Sequence, residues 1–85
     1  MALVIITDGA REQLSQVPVV IRLRILGIID RLEKWPAVSG AKPLKRELAG
    51  NFRIRTGDYR VIVRYDKASG TVTVWKIGYR GGFYD

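Results

Sequence analysis

The second half of the chain contains three runs in which apolar and polar residues largely alternate, separated by short turns. The runs span about residues 51–56, 59–66 and 71–78, and the turns contain Gly57 and Gly70. Successive side chains of an extended strand point to opposite faces, and connections this short join antiparallel neighbours. The three runs therefore predict an antiparallel meander, which fixes the centre of the fold.

The first half of the chain predicts one further strand and two helices. Residues 3–6 form a short, mostly β-branched run typical of a strand. Thr7-Asp8 supplies an N-cap for a helix over about residues 8–16. Pro18 separates it from a second helix that reaches to about residue 34. The order is βααβββ, an α+β fold with an antiparallel sheet, a helical hairpin packed on one face and the other face open.

The second predicted helix carries two apolar stripes at helical spacing, which leave only a narrow polar face. Ile21, Ile25, Ile28, Ile29 and Leu32 form the first stripe, and Val19, Leu23 and Leu26 form the second. The favoured interpretation is a core helix held between the first helix and the sheet. The alternative is that part of this surface stays exposed as a patch for a partner protein.

Composition excludes several classes of protein. With 85 residues, 47% of them hydrophobic, residues 1–85 are expected to form a single domain with a modest core. The chain has no cysteine and no histidine, which removes disulfides, thiolate nucleophiles, the commonest general base and the usual zinc ligands. We therefore expect no metal and no cofactor. No run is long and apolar enough to cross a membrane, and residues 1–6 lack the basic start and cleavage site of a signal peptide. The absence of cysteine favours a location in the reducing cytoplasm.

Positive charge is concentrated in the half that is predicted to form the sheet. Residues 1–41 carry five basic and four acidic groups, whereas residues 42–85 carry ten basic and four acidic groups. Alternation places Arg53 with Arg55 on one face, and Arg60 with Arg64 likewise. Guanidinium groups are always charged and bind pairs of phosphate oxygens, so we interpret the open face as a nucleic-acid surface. The alternative is a solvated strand face.

Other side chains of the three runs are assigned to packing. Phe52, Tyr59, Tyr65 and Trp75 are interpreted as core or sheet residues rather than as platforms for RNA bases. For Arg60 and Arg64 the alternative role is pairing with Asp58 or Asp66 across turns, and for Arg64 this structural role is favoured.

The order of the elements and two segments together match a known pattern. The first segment, residues 50–62, has the sequence GNFRIRTGDYRVI, and the second, residues 77–80, has the sequence IGYR and is followed by Tyr84. They resemble the RelE/ParE superfamily of toxins from type II toxin–antitoxin pairs, and the likeness covers nearly the whole chain. RelE-like members enter the ribosomal A site and cut mRNA there. ParE-like members share the fold but act on DNA gyrase.

The resemblance also implies a set of site residues. The basic pair of the RelE-type site corresponds to Arg53 and Arg55, and its arginines and C-terminal tyrosine correspond to Arg60, Arg80 and Tyr84. Arg60, Arg80 and Tyr84 are thus expected to be catalytic, and Arg53, Arg55 and Lys45 to bind RNA. Because ParE-like proteins do not need this set together, its presence favours a nuclease.

RNA cleavage without a metal requires the ribose 2′-OH to attack the adjacent phosphorus. A base accepts the 2′-OH proton, cations stabilise the phosphorane, and an acid protonates the leaving 5′-oxygen. Arg80 and Arg60 are assigned to the charge of the transition state. Arginine cannot accept a proton, so Tyr84 is the candidate for proton transfer and Lys45 a second one. Stacking on a splayed base is the alternative role for Tyr84.

Two other functions remain open, a ParE-like toxin that binds DNA gyrase and a catalytically silent RNA-binding module. The expected partners of the favoured nuclease are a cognate antitoxin, mRNA in the ribosomal A site and ribosomal RNA. Residues 19–32 and the basic open face are both candidate surfaces for the antitoxin.

Overall fold

The computed structural model describes residues 1–79, and within them two helices lie on one face of a five-stranded sheet. The helices are α1 (Asp8–Gln16) and α2 (Val19–Arg31). The strands are β1 (Leu3–Ile6), β2 (Lys42–Pro43), β3 (Asn51–Thr56), β4 (Tyr59–Asp66) and β5 (Thr71–Tyr79). Short 3₁₀ turns, Leu32–Lys34 and Arg46–Leu48, follow α2 and β2. Neither helix in this part of the chain is long and apolar enough to cross a membrane.

The strands lie side by side in the order β1-β5-β4-β3-β2, and the sheet is mixed. The predicted meander of β3, β4 and β5 is confirmed, with antiparallel pairing throughout. β1 pairs with β5 in parallel, with Leu3 opposite Thr71. The chain between β1 and β5 runs through both helices and the other three strands, which is more than the dozen residues that parallel neighbours require between them. β2 adds two antiparallel residues to the outer side of β3. The predicted α+β class, with a helical hairpin on one face, is confirmed.

Both ends of α1 are held by side chains. The Thr7 hydroxyl accepts a hydrogen bond from the Ala10 N–H at 3.1 Å, which confirms the predicted N-cap. At the other end, Arg22 of α2 reaches back to α1. Its guanidinium donates to the carbonyls of Leu14, Ser15 and Val17 at 3.2, 2.9 and 3.2 Å. The Leu14 carbonyl also accepts from the N–H of the C-cap residue Val17 at 3.4 Å. Arg22 supplies further donors to the carbonyls at the end of α1, where helical partners run out, and so fixes the hairpin.

The first apolar stripe of α2 forms the core with the sheet. Ile25, Ile28, Ile29 and Leu32 pack with Ile54, Val61, Val63, Val72, Val74 and Ile77. The second stripe is not core, since Val19, Leu23 and Leu26 are exposed together with Val20. The prediction of a core helix is therefore wrong for this second face. The physical reason is that α1 is short and buries only Ala10 and Leu14 within its own length, so it leaves that side of α2 uncovered.

The last residues of β5 extend beyond the end of β1, whose pairing stops at Val74. In this stretch a side chain takes the place of a neighbouring strand. The Ile77 N–H donates to Oε1 of Gln13 at 2.7 Å. Because Ile77 is 2% exposed, the bond satisfies a donor that water reaches poorly. Gln13 thus attaches the end of β5 to α1.

Candidate nucleic-acid interface

The face of the sheet opposite the helices, here the open face, carries arginines in rows that cross the strands. Arg55 lies directly opposite Arg60, and Arg53 lies directly opposite Ile62. Residues that oppose one another in an antiparallel pair share a face, with Cβ atoms about 4.5–5.5 Å apart. The predicted alternation of apolar and basic residues is therefore confirmed, and Arg53, Arg55 and Arg60 are brought together on one face.

The row that contains Arg55 and Arg60 is electrostatically costly. Like charges directly opposite each other destabilise a sheet. Arg60 is also only 3% exposed, and burial of a guanidinium carries a desolvation cost. On its other side, Arg60 lies opposite Gly78 of β5, which has no side chain. A row of guanidinium groups on one face of the sheet suits the binding of an anion, because each group can donate two parallel hydrogen bonds to it.

A β-bulge adds one further cation to the open face. Ile62 pairs with Lys76, whereas the next residue of β4 pairs with Val74, so Trp75 is an extra residue in β5. The bulge places Lys76 in the same row as Ile62 and Arg53. Strict alternation after Val74 would place Lys76 on the helix side, and for this reason Lys76 was not among the predicted site residues.

Trp75 is held across the open face by a side chain of β3. Its Nε1–H donates to Oδ1 of Asn51 at 2.7 Å, and Nδ2 of Asn51 donates to the Leu48 carbonyl at 3.1 Å. Asn51 is 4% exposed, so both of these bonds are shielded from water. The prediction that Trp75 packs on the sheet is confirmed, and its contact ties β5 to the loop that precedes β3.

Arg64 lies on the open face at the end away from Arg60. It is beside the turn at Gly50, where φ is 92° and a Cβ would lie 3.7 Å from Nη1 of Arg64. The predicted pairing with Asp58 or Asp66 is not formed within residues 1–79. Asp66 instead accepts a hydrogen bond from Oγ of Ser69 at 2.9 Å and closes the hairpin between β4 and β5.

A basic groove lies beside the open face, between β2, the following 3₁₀ turn and the start of β3. Its volume is about 470 Å³, and its cationic lining is Lys42, Lys45, Arg46 and Arg53. Lys42 lies directly opposite Arg53 in the sheet. Of the predicted residues, Lys45 and Arg53 meet here, whereas Lys45 is not in the row of Arg60. Lys42 and Arg46 were not among the predicted site residues, because apolar and polar residues follow no clear period in residues 42–48.

The backbone of Arg46 is in the left-handed region, with φ of 58°. This conformation costs a residue with a Cβ about 1 kcal/mol or more, whereas glycine adopts it freely. The loop around Arg46 is closed by the Leu44 N–H, which donates to the Asn51 carbonyl at 2.9 Å. A strained backbone beside a basic groove makes Arg46 a candidate RNA-binding residue.

Apart from Trp75, the aromatic residues of the meander lie on the helix side of the sheet, and the predicted role of these rings in packing is confirmed. Phe52, Tyr59 and Tyr65 all pack against the core. Trp35 stacks edge-on against Phe52, with ring centroids 4.7 Å apart. Tyr79 is exposed and contacts Tyr59 edge-on at 5.5 Å. These rings are therefore on the other side of the sheet from the arginines.

Two of the predicted catalytic residues, Arg80 and Tyr84, lie outside the described residues. Arg80 follows Tyr79, the last residue of β5, directly in sequence. The assignment of both residues remains a prediction from the family resemblance.

Similarity to a known protein shows the family to which this chain belongs. The toxin RelG of Mycobacterium tuberculosis is 35% identical to the chain over 79 residues, which cover 92% of this chain and 90% of RelG. The chain belongs to the RelE-like toxin superfamily. No protein-family model matches it.

Solved structures support the same relationship for this RelE-like toxin. The RelBE2 toxin–antitoxin complex from Mycobacterium tuberculosis matches with a TM-score of 0.80 and 34% identity, over 93% of this chain and 98% of that chain. The archaeal RelE–RelB complex from Pyrococcus horikoshii matches with a TM-score of 0.75 and 26% identity, over 94% and 96% of the two chains. The protein is thus a toxin of the RelBE type.

Proposed function

We propose that this RelE-like toxin is a ribosome-dependent endoribonuclease that cleaves mRNA without a metal ion and so arrests translation. The observation that carries the proposal is the row in which exposed Arg55 lies directly opposite buried Arg60 on the open face. Arg53 and Lys76 occupy the next row. Adjacent strands are about 5 Å apart, so these cations lie within the span of one or two phosphodiester groups.

In the proposed reaction the ribose 2′-OH attacks the adjacent phosphorus and the bond from phosphorus to the 5′-oxygen breaks. The products are a 2′,3′-cyclic phosphate and a 5′-hydroxyl. Arg60 stabilises the negative charge of the phosphorane, and its low exposure strengthens that interaction because water screens it little. Arg53 and Arg55 bind the flanking phosphates, to which a guanidinium group donates two parallel hydrogen bonds.

Proton transfer requires other groups, because arginine stays protonated in proteins. We assign it to Tyr84, with Arg80 as a second source of positive charge at the phosphorane. Lys45 lies in the basic groove with Lys42 and Arg53, away from the row of Arg60. That position favours RNA binding by Lys45 over proton transfer.

The proposed partners follow from this chemistry. The toxin acts in the cytoplasm on mRNA held in the ribosomal A site and contacts ribosomal RNA, while a cognate antitoxin neutralises it. Both solved structures described above are complexes of a RelE-type toxin with its antitoxin, which supports an antitoxin partner here. An acidic partner also suits a toxin with a net charge of +7.

The test is cleavage of a defined mRNA on programmed ribosomes, with the fragment ends mapped by primer extension. Arg60→Met keeps most of the side-chain volume but removes the charge. It is expected to slow cleavage about 100-fold or more, the usual effect of losing one oxyanion donor. Arg24→Ala is the matched control, because Arg24 is exposed on α2 on the far side of the sheet. It should leave the rate unchanged.

Two results would replace the proposal. Intact mRNA together with inhibited DNA gyrase would make the protein a ParE-like toxin. Binding of RNA without cleavage and without toxicity would make it a silent RNA-binding module. If Arg60→Met is folded and cleaves mRNA at the same rate as the wild-type protein, the assigned site would be overturned.

A further inference from the structure

Trp75 differs from the other aromatic residues in the face of the sheet on which it lies. The other aromatic rings in residues 1–79 are on the helix side. Trp75 is the extra residue of the bulge in β5, and its Nε1–H bonds to Asn51, which lies opposite Arg64 on the open face. Within the described part of the chain, Trp75 is therefore the one aromatic residue on the face that carries the arginines.

The hydrogen bond to Asn51 fixes the direction in which the indole extends. Trp75 is on β5 and Asn51 is on β3, with β4 between them. Neighbouring strands are about 4.8 Å apart, so the two side chains and the hydrogen bond of 2.7 Å together cross about 10 Å of the sheet. The indole therefore extends along the surface of the open face, over β4, rather than away from it.

The side chain of Trp75 keeps part of its apolar surface in contact with water. Trp75 is half-buried, and the one polar atom of its side chain is bonded to Asn51, which is 4% exposed. Packing on the sheet and this shielded hydrogen bond hold the ring in one orientation. The exposed remainder of the side chain is thus the carbon surface of an immobilised indole.

Basic residues lie on both sides of this indole. Arg53 and Lys76 are in the row on one side, and Arg64 is in the row on the other. Surfaces that bind single-stranded nucleic acid combine cations, which contact the phosphates, with aromatic rings, on which the bases stack. The position of Trp75 among these three cations reproduces that combination.

The distance from Trp75 to the row of Arg60 suits the same ligand. Gly78 lies opposite Arg60 and comes three residues after Trp75 in β5. Three residues of a strand span about 10 Å. A ligand that places a phosphate at Arg60 therefore needs a flat, apolar group about 10 Å away to reach Trp75. In RNA a neighbouring nucleobase is such a group.

We propose that Trp75 stacks on a nucleobase of the bound RNA, near the phosphate that Arg60 holds. The class of ligand rests on the proposed function, whereas the contact with a base is new to it. Every base has a π-face, so stacking accepts any sequence. The larger ring system of a purine covers more of the indole than a pyrimidine does. Trp75 thus binds RNA through a base and favours a purine at that nucleotide.

The experiment measures the fluorescence of Trp75 in the full-length toxin during titration with a single-stranded RNA whose 2′-O-methyl groups prevent cleavage. The chain has two tryptophans, so Trp35→Phe leaves Trp75 as the only indole. Stacking on a base is expected to quench this emission. In Trp75→Leu the emission comes from Trp35, which contacts Phe52 on the helix side, and RNA should leave it unchanged.

The affinity of the same variants is measured by the fluorescence anisotropy of a dye-labelled RNA. Trp75→Leu should weaken binding about fivefold to a hundredfold, the usual effect of removing an aromatic ring that stacks on one base. Trp35→Phe is the matched control on the other face, and its affinity should equal that of the wild-type protein. Because an indole carries no charge, Trp75→Leu should not change the slope of log affinity against log salt.

A series of RNAs, each with one abasic nucleotide, locates the stacked base. One RNA of the series should bind without quenching Trp75, and Trp75→Leu should not lower the affinity for that RNA further. At the same nucleotide, adenine should bind more tightly than uracil to the wild-type protein and equally to Trp75→Leu.

Two outcomes would overturn the stacking proposal. RNA that binds Trp35→Phe without quenching Trp75 would show that no base stacks there, and this result holds even if Trp75→Leu does not fold. A lower salt slope in Trp75→Leu would show that the ring acts by positioning the cations. Cleavage on ribosomes without quenching would leave the nuclease proposal in place, whereas a toxin that neither binds nor cleaves RNA would overturn both.

Discussion

Replacement of Gln13 by alanine tests how the end of β5 is held. In the variant the Ile77 N–H loses its acceptor, which lies at 2.7 Å. β1 cannot supply another acceptor, because its pairing ends at Val74. Ile77 is 2% exposed, so water does not readily replace the lost partner. The variant therefore leaves an unsatisfied donor in the folded state.

The expected cost follows from this environment. Leaving a buried donor unsatisfied costs about 1–3 kcal/mol of the free energy of unfolding. For a domain of this size each kcal/mol corresponds to about 4–8 °C in Tm, so the Tm should fall by about 5–20 °C. The effect on amide exchange should be local, with Ile77 among the amides that lose most protection.

The assay is urea denaturation followed by tryptophan fluorescence, together with NMR exchange of the Ile77 amide. Gln16→Ala is the control, because Nε2 of Gln16 bonds to Oε1 of Glu12 at 3.3 Å on the exposed side of the same helix. Gln16→Ala should change the free energy of unfolding by no more than about 0.5 kcal/mol. The assigned role of Gln13 would be refuted if Gln13→Ala and Gln16→Ala lowered the free energy of unfolding equally. It would also be refuted if Gln13→Ala left the exchange rate of the Ile77 amide unchanged.

Three further predictions concern neighbouring parts of the fold. Arg22→Met removes three hydrogen bonds to α1 carbonyls and should lower the free energy of unfolding by about 1–2 kcal/mol; an unchanged thermal midpoint would contradict this. Trp75→Phe leaves Oδ1 of Asn51 without its donor and should lower the free energy of unfolding, measured by chemical denaturation, by about 1–3 kcal/mol. An unchanged free energy of unfolding would argue against the contact. Arg46→Gly relieves the left-handed backbone, so stability should hold or rise by up to about 1 kcal/mol. The same change should lower the slope of log affinity for single-stranded RNA against log salt by about 0.7, and equal slopes would exclude Arg46 from the RNA surface.

The three central strands were predictable because their local signals agree. Alternation defines the faces, and a glycine marks each tight turn; Gly57 and Gly70 have φ of 57° and 68°. The parallel pairing of β1 with β5 cannot be predicted from local patterns, because it depends on how the helical hairpin packs against the sheet. The exposed stripe of α2 was misjudged for a similar reason, because helical spacing identifies apolar faces but not what covers them.

The candidate site was predictable only in part. Alternation placed Arg53, Arg55 and Arg60 on one face, and the register confirms it. The burial of Arg60 depends on neighbours distant in sequence, which periodicity does not report. Lys76 joins the face only through the bulge at Trp75, and a bulge shifts every later residue of a strand relative to strict alternation.

The central proposal concerns the chemistry of the open face, and the ends of the RNA fragments test it most directly. Fragments from ribosome-bound mRNA should end in a 2′,3′-cyclic phosphate, begin with a 5′-hydroxyl and map to codons in the A site. They should be lost with Arg60→Met and retained with Arg24→Ala. Intact mRNA, or fragments ending in a 3′-hydroxyl, would contradict attack by the 2′-OH on a phosphate held by these arginines.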